Sequence, residues 1–238
     1  MTYRILFLIS YFLIESNGAL APFIKKCKSD DSECLIASTQ IAIPYLSPGI
    51  PELEIPPADP LYFKEISADQ GDLKLTFRDL KVTGTSKCKV IDVKRDTVAS
   101  TISLEVECPI LATGTYLLDG KLLFIPAQGN GDFEIKTENV KLKALLKYKT
   151  ITANDGAKHW KITGYDYSYD LVERVSIKLD NLFGGDETRA KPILEILNNS
   201  WKELITEIGA PIIKELFAKC ISIINKFTTA VPTTELEL

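Results

Sequence analysis

The chain has 238 residues, 45% of them hydrophobic and 25% charged, with a formal net charge of −4. There is no basic surplus to neutralise phosphates, which argues against nucleic acid as a partner. After Ile14 no second long hydrophobic run occurs, so no permanent membrane anchor is expected, and the length suits one large domain or two small ones.

Residues 1–18 read as a secretory signal peptide. Arg4 supplies the positive start, Ile5 to Ile14 is an apolar run interrupted only by Ser10 and too short to span a bilayer, and Ser16 and Gly18 are small residues ahead of a cut. In an exported chain the five cysteines, Cys27, Cys34, Cys88, Cys108 and Cys220, default to disulfides, with one left over. Closing the short Cys27–Cys34 loop would contribute about 2–3 kcal/mol on the chain-entropy view. A metal site there lacks further His or Cys ligands, so no metal is expected.

Cys34 to Tyr45 has helical periodicity that Pro44 should end. The proline-rich stretch from Pro44 to Pro60 forbids helix and central strand, and reads as an extended surface segment. From Leu61 the period becomes two. Asp72 to Phe77 alternates cleanly, and Val82–Val93 and Val98–Val106 form two further runs. Folding the last two about Arg95–Thr97 brings Cys88 opposite Cys108 and leaves Cys220 as a small buried thiol.

Asp119-Gly120 is a hairpin signal, and Gly129-Asn130-Gly131 reads as the next turn. Apolar parity then switches between Ile135 and Val140, which predicts a β-bulge near Glu138-Asn139. Asn154-Asp155-Gly156 turns again. Strand patterns around Trp160, Tyr165 to Tyr169 and Val175 to Leu179 follow, and Asn181 to Asp186 is the loop before a helix.

The last long element is Lys191 to Phe227. Ile193, Leu197, Trp201, Leu204, Ile208, Ile212, Leu216, Cys220, Ile224 and Phe227 step by three or four, which places them on one helix face. A continuous helix of this length would be roughly 55 Å long. Gly209 and Pro211 predict a bend within it. So wide an apolar face on so long a helix requires a long cover. The simplest arrangement is an α+β fold with a long C-terminal helix in the trough of a strongly curved antiparallel sheet and a short N-terminal helix. Periodicity does not separate a stripe that only packs core from one that also lines a ligand cavity.

Catalytic machinery is missing from the pattern. His159, the single histidine, sits just after a turn and reads as an exposed strand-start residue, which leaves little for a Ser-His-Asp triad. Gly129-Asn130-Gly131 precedes a strand and is no dinucleotide fingerprint. Gly184-Gly185 is followed by Asp186 and Glu187, which fit a loop and helix cap better than an anion site. Asn198-Asn199-Ser200 is a glycosylation sequon inside the predicted helix, a poor place for its use. An exported chain with much apolar surface on long elements fits a carrier of an apolar ligand. A structural or interaction protein would look similar, and an esterase or lipid-modifying enzyme would have to use His159 or a serine.

These residues resemble the takeout and juvenile-hormone-binding-protein family of insects. The likeness rests on Cys27-x6-Cys34 followed by PGIPELEIPPADPL (48–61), and on NLFGGDETRAKPILEILNNSWKELI (181–205). Between them, Gly114-x-Tyr116, Gly120 to Leu123, Pro126 and Gly129-x-Gly131-x-Phe133 are similar to the family's middle strands. The resemblance implies a tubular lipid-binding (TULIP-like) fold, with 19–238 as one hydrophobic-ligand-binding domain. It also implies secretion into haemolymph or a sensory or fat-body fluid, a connection with biological rhythms, no cofactor and a monomeric carrier. Cys27–Cys34 has the place of the family's first bridge. Cys88 and Cys108 stand away from the second bridge of the hormone-binding branch, which favours the takeout-like branch. The implied ligand is an isoprenoid, a juvenile-hormone-like compound, a fatty acid or a related lipid. Strand residues of one parity would line the tunnel: Phe77, Leu104, Val106, Tyr116, Phe124, Phe133, Ile135, Tyr148 and Trp160. Trp201, Leu204 and Ile208 would face them from the helix.

Overall fold

The computed structural model describes residues 19–122, 125–154 and 156–238, so the expected signal peptide and Phe124 lie outside the described residues. The elements run α1 (Ser32–Leu46), β1 (Leu61–Ser67), β2 (Lys74–Thr83), β3 (Lys89–Asp96), β4 (Thr101–Leu122), β5 (Ile125–Thr152), β6 (Lys158–Leu171) and β7 (Ser176–Leu179). They continue with α2 (Glu187–Asn199), the single turn α3 (Trp201–Glu203), a π turn (Leu204–Ile208), α4 (Ala210–Ala230) and α5 (Thr233–Leu236). The strands form one antiparallel sheet ordered β1-β2-β4-β5-β6, with β3 beside β4 and β7 beside β5.

The long pair β4–β5 is the spine. β2 pairs with its residues 111–119 and β3 with residues 101–107, while β7 and β6 divide β5 in the same way. In the β4–β5 ladder, Cys108 pairs with Val140 and Ile110 with Thr137. Pro109 therefore faces both Glu138 and Asn139, the bulge that the parity switch predicts. A second irregularity separates Arg78 from Lys81, and a third separates Lys147 from Tyr148. Bulges bend the strands that carry them, and these three, with a fourth between Val90 and Asp92, curl the sheet.

Both predicted turns in the middle of the chain lie inside strands instead. Leu122 pairs with Ile125, so the chain reverses after Asp119-Gly120 rather than at it, and Gly129 to Gly131 belong to β5. The glycines are there for close approach, not for turning. A Cβ at Gly120, whose φ is +121°, would sit 2.2 Å from the Asp72 carbonyl oxygen; one at Gly131 would sit 2.5 Å from that of Asp180.

The run Val82–Val93 is likewise two strands. It is broken by a 3-10 turn at Thr85–Lys87, where the chain crosses tightly against Pro109 at Gly84. The turn at 153–157 falls where it is expected, closed by the Gly156 amide donating to the Ala153 carbonyl at 3.0 Å.

α1 starts on an Asp31 cap, whose carboxylate accepts from the Cys34 amide at 3.0 Å. It runs through Pro44 to Leu46, because loss of a single amide in the last turn does not end a helix already capped by Ser47. The proline-rich connector is not simply extended either: it makes a 3-10 turn at Pro51–Leu53 and buries Ile55.

The long C-terminal helix begins earlier than predicted, at Glu187 on an Asp186 cap, and is broken at Ser200. Its bend takes the form of a π turn ahead of Gly209. Pro211 has no N–H for the Glu207 carbonyl and its ring crowds that turn, so the backbone widens there.

α4 reaches from one edge strand of the curled sheet to the other. Lys219 Nζ lies 5.7 Å from the ring centroid of Phe63 in β1, and Phe217 stacks on Tyr167 of β6 at 4.3 Å. The helix thus spans the trough of the curled sheet from edge to edge. Three amide side chains fix the helices to the sheet by standing in for missing strand neighbours. Gln40 of α1 donates to the Cys88 carbonyl at 3.1 Å and accepts from the Val90 amide at 2.8 Å. Asn198 of α2 accepts from the Ile177 amide at 3.0 Å and donates to the Ile177 carbonyl at 2.8 Å. Asn225 of α4 accepts from the Ile162 amide at 2.8 Å.

Candidate functional site: the trough between sheet and helix

Because side chains alternate along a strand, the register sorts the residues of β3 to β6 into an outward and an inward row. The outward row is charged. Glu105 accepts Lys143 at 3.0 Å and Lys141 at 3.3 Å, and the hydrogen bond from Lys143 holds its carboxyl below the usual carboxylate range. The inward row is largely apolar, and it is packed differently at the two ends of the trough.

At the β2–β7 end it is close-packed. Phe77 and Phe133 meet edge to face at 4.6 Å, Tyr116 is buried, and Leu204 and Ile208 belong to the same core, with Ile135 and Trp201 half-buried against it. Seven of the twelve predicted lining residues thus meet in one solid cluster. The Tyr116 hydroxyl donates to the Asp180 carbonyl at 2.7 Å, and burial pushes its pKa up to about 12, so it stays neutral.

At the β3–β6 end the inward row is less covered. Val106 packs with Leu142 and Tyr169 around the Cys88–Cys108 bridge beneath α1. Leu104 faces Val93 and Ala144, and Ala144 faces Tyr167. Ile102, Leu104, Val106, Leu142, Ala144, Tyr165 and Tyr167 are all only half-buried although they point inward. Tyr148 and Trp160 are buried at the far tip, with ring centroids 5.3 Å apart. Between their rings and the chain's final residues lies Arg95, which the sequence reading passed over as a turn residue. Its place in the inward row follows only from an irregularity in β3 between Val90 and Asp92.

Other expectations find their places around this trough. His159 is not exposed: it is buried at 3% relative exposure at the start of β6, next to Trp160 and opposite Ile151. Cys27 is bonded to Cys34, which ties the segment before α1 to that helix, and a separate parallel backbone bridge sets Cys27 beside Glu237. Cys220 is the free thiol on α4, and burial pushes its pKa up to about 11, which keeps it unreactive at neutral pH. An open cleft of about 550 Å³ lies over the outside of α2, lined by Arg174, Glu187, Lys191 and Glu195 among others, and includes none of the twelve. A smaller hollow of about 380 Å³ includes Leu104, Ala144 and Tyr167 together with charged residues of the outward row. Among the described residues no group of three His, Cys, Asp or Glu side chains could hold a metal, and no helix is long and apolar enough to cross a membrane.

This architecture, a curled sheet closed by a kinked helix with an apolar inward row, matches the crystal structure of Epiphyas postvittana Takeout 1. The TM-score is 0.87 at 25% identity, covering 90% of this chain and 99% of that one. The family model for haemolymph juvenile hormone binding protein matches residues 5–237. The chain belongs to the haemolymph juvenile hormone binding protein family. Within the family it is 27% identical over 221 residues to the circadian clock-controlled protein daywake of Drosophila melanogaster, covering 88% of this chain and 84% of that protein. It is 28% identical over 173 residues to the juvenile hormone-binding protein of Manduca sexta, covering 71% and 72% respectively. The resemblance to takeout proteins holds, and this is a family of binding proteins rather than of enzymes.

Proposed function

We propose that this protein is a secreted, non-catalytic, monomeric carrier. It holds a long apolar ligand, such as an isoprenoid, a fatty acid or a related lipid, in the tube between sheet and helix. On this reading residues 1–18 are the export signal and residues 19–238 form one binding domain. The observation that carries it is the half-buried inward row: Ile102, Leu104, Leu142, Ala144 and Tyr167 face the helix side and are left without full cover. Apolar side chains in a finished core are close-packed, so a row left open inside a fold is space for another apolar body. Covering it contributes about 25 cal/mol per Å² before the ligand's ordering cost. The two bridges and the family's haemolymph members support export.

Native mass spectrometry of protein purified without detergent tests this directly. A co-purified lipid, or saturable enhancement of a hydrophobic fluorophore that an isoprenoid or fatty acid displaces, is the expected result. A chain that is empty and shifts no fluorophore overturns the carrier reading and leaves an interaction protein. Turnover of an ester substrate that is lost on changing His159 or one serine would make it an enzyme.

A further inference from the structure

We propose that Arg95 is an anion seat at the closed tip of the tube, shaped for the carboxylate of a long-chain acid, and that Glu237 occupies the seat when no ligand is bound. The inference rests on the carrier reading and names the head-group chemistry of its ligand.

Among the described residues of β3 to β6, the inward rows contain one covered charged side chain, Arg95; Lys158, at the first position of β6, has inward parity too but is exposed. It stands opposite Ile102, one pair beyond Val93 and Leu104. The guanidinium is held from several sides. Its carbon lies 4.3 Å from the Trp160 ring centroid and 5.9 Å from that of Tyr148, and Nε donates to the Tyr148 hydroxyl at 3.1 Å. Nη2 pairs with a carboxylate oxygen of Glu237. A planar guanidinium stacked on aromatic rings keeps its fork of donors pre-aimed, the geometry that matches a carboxylate with two parallel hydrogen bonds.

The two partners of the pair are unequal. The Arg95 side chain is 9% exposed, whereas that of Glu237 is 31% exposed and comes from the segment after α5. The arginine is therefore fixed in the wall, and the glutamate can turn to water by side-chain rotation alone. Removing one partner from a buried pair without replacement is strongly unfavourable. Replacing Glu237 by the carboxylate of a ligand leaves the arginine paired and returns the displaced charge to solvent. The half-buried track of Ile102, Leu104, Ala144 and Tyr167 ends at this group, so an amphiphile lying along the track would place its head there. An ester or alcohol of the same chain would fill the track but would have to leave Glu237 in place.

The test compares hexadecanoate with methyl hexadecanoate by displacement of a bound fluorophore from wild type, Arg95→Gln and Glu237→Gln. Wild type should take the acid about tenfold or more tighter than the ester, the order expected of a charged hydrogen bond. Arg95→Gln should bring the ratio to about one while ester binding is kept. Glu237→Gln should strengthen acid binding severalfold and leave the ester unchanged, an arm that decides the matter even where Arg95→Gln does not fold. Equal affinity for acid and ester in wild type, or no gain for the acid in Glu237→Gln, makes Arg95–Glu237 a structural clasp and overturns the proposal while the carrier reading stands. Failure of both probes to bind, in a protein that also carries no lipid, overturns the carrier reading itself.

Discussion

Asn198 separates a glycosylation acceptor from a structural amide. Both hydrogens of its side-chain nitrogen are in use, donated to the carbonyls of Ile177 at 2.8 Å and Leu194 at 2.9 Å, while the oxygen accepts the Ile177 amide. Attachment of a sugar would remove one of those donors, so the sequon should be unused. Replacing Asn198 by Ala strands both backbone groups of Ile177, a residue only 3% exposed, on the side of β7 turned away from β5. At about 1–3 kcal/mol for a stranded buried group, and less for the more tolerant carbonyl, the sum is about 2–4 kcal/mol. For a chain of this size that lowers the melting temperature by roughly 5–15 °C. Ser200→Ala destroys the same sequon without touching the amide and should stay within about 0.5 kcal/mol of wild type. Thermal and denaturant melts of both variants, with intact mass of material secreted from eukaryotic cells, decide the matter. A glycan mass lost in Ser200→Ala, or an Asn198→Ala protein as stable as wild type, would refute the reasoning.

The two ends of the inward row should respond in opposite ways to added bulk. Leu204→Trp overpacks the solid cluster and should cost about 1–3 kcal/mol, whereas Ala144→Trp fills the open track, leaves the melting temperature of ligand-free protein nearly unchanged and blocks uptake of a fluorophore; the reverse pattern would place the ligand at the other end. Stability should fall in alkali in a set order. Burial raises Cys220 from its ordinary 9.0 to about 11 and Tyr116 from 10.0 to about 12. The neutral forms are the folded ones, so their contribution is complete below about pH 9 and is lost as pH rises through about 11 and 12, a loss visible in urea melts against pH, with Cys220→Ala removing the first part. Non-reduced peptide maps should show Cys27 with Cys34 and Cys88 with Cys108, and Cys220 should resist alkylation at neutral pH until the protein is denatured; a bond from Cys220 to Cys88 or Cys108 would contradict the β3–β4 register.

Local pattern made the sheet's bend readable. The parity switch between Ile135 and Val140 is a feature of the sequence itself, and it locates the bulge that helps to curl β5. The β3–β4 pairing was legible only in part: the turn lies at residues 97–100 rather than at Arg95–Thr97, and it is from there that Cys88 and Cys108 are nearly equally far, the odd residue being taken up between Val90 and Asp92. Glycine misled where its cause was tertiary. Gly120 and Gly131 are required by the carbonyls of Asp72 and Asp180 pressing on the strand from other elements, and a window of neighbouring residues holds no trace of those carbonyls. His159 was misplaced because a position just after a turn reads as exposed until another element covers it. The docking amides were visible only as polar residues on otherwise apolar elements. Gln40, Asn198 and Asn225 have backbone partners 21 to 63 positions away, so only the packed fold reveals what they hold. Arg95 was hidden by the irregularity between Val90 and Asp92, which turns a side chain expected at a hairpin tip into the inward row. Parity placed the eight described strand candidates on one face of the sheet, but it carried no information on which end of the trough is closely packed and which is less covered.

The measurement that bears most directly on the account is a structure of the protein with its co-purified or added apolar ligand. The account predicts ligand density inside the tube along Leu104, Ala144 and Tyr167, beneath α4, with its head toward Arg95. Ligand bound instead in the open cleft over α2, or an inward row that stays empty at saturating ligand, would contradict it.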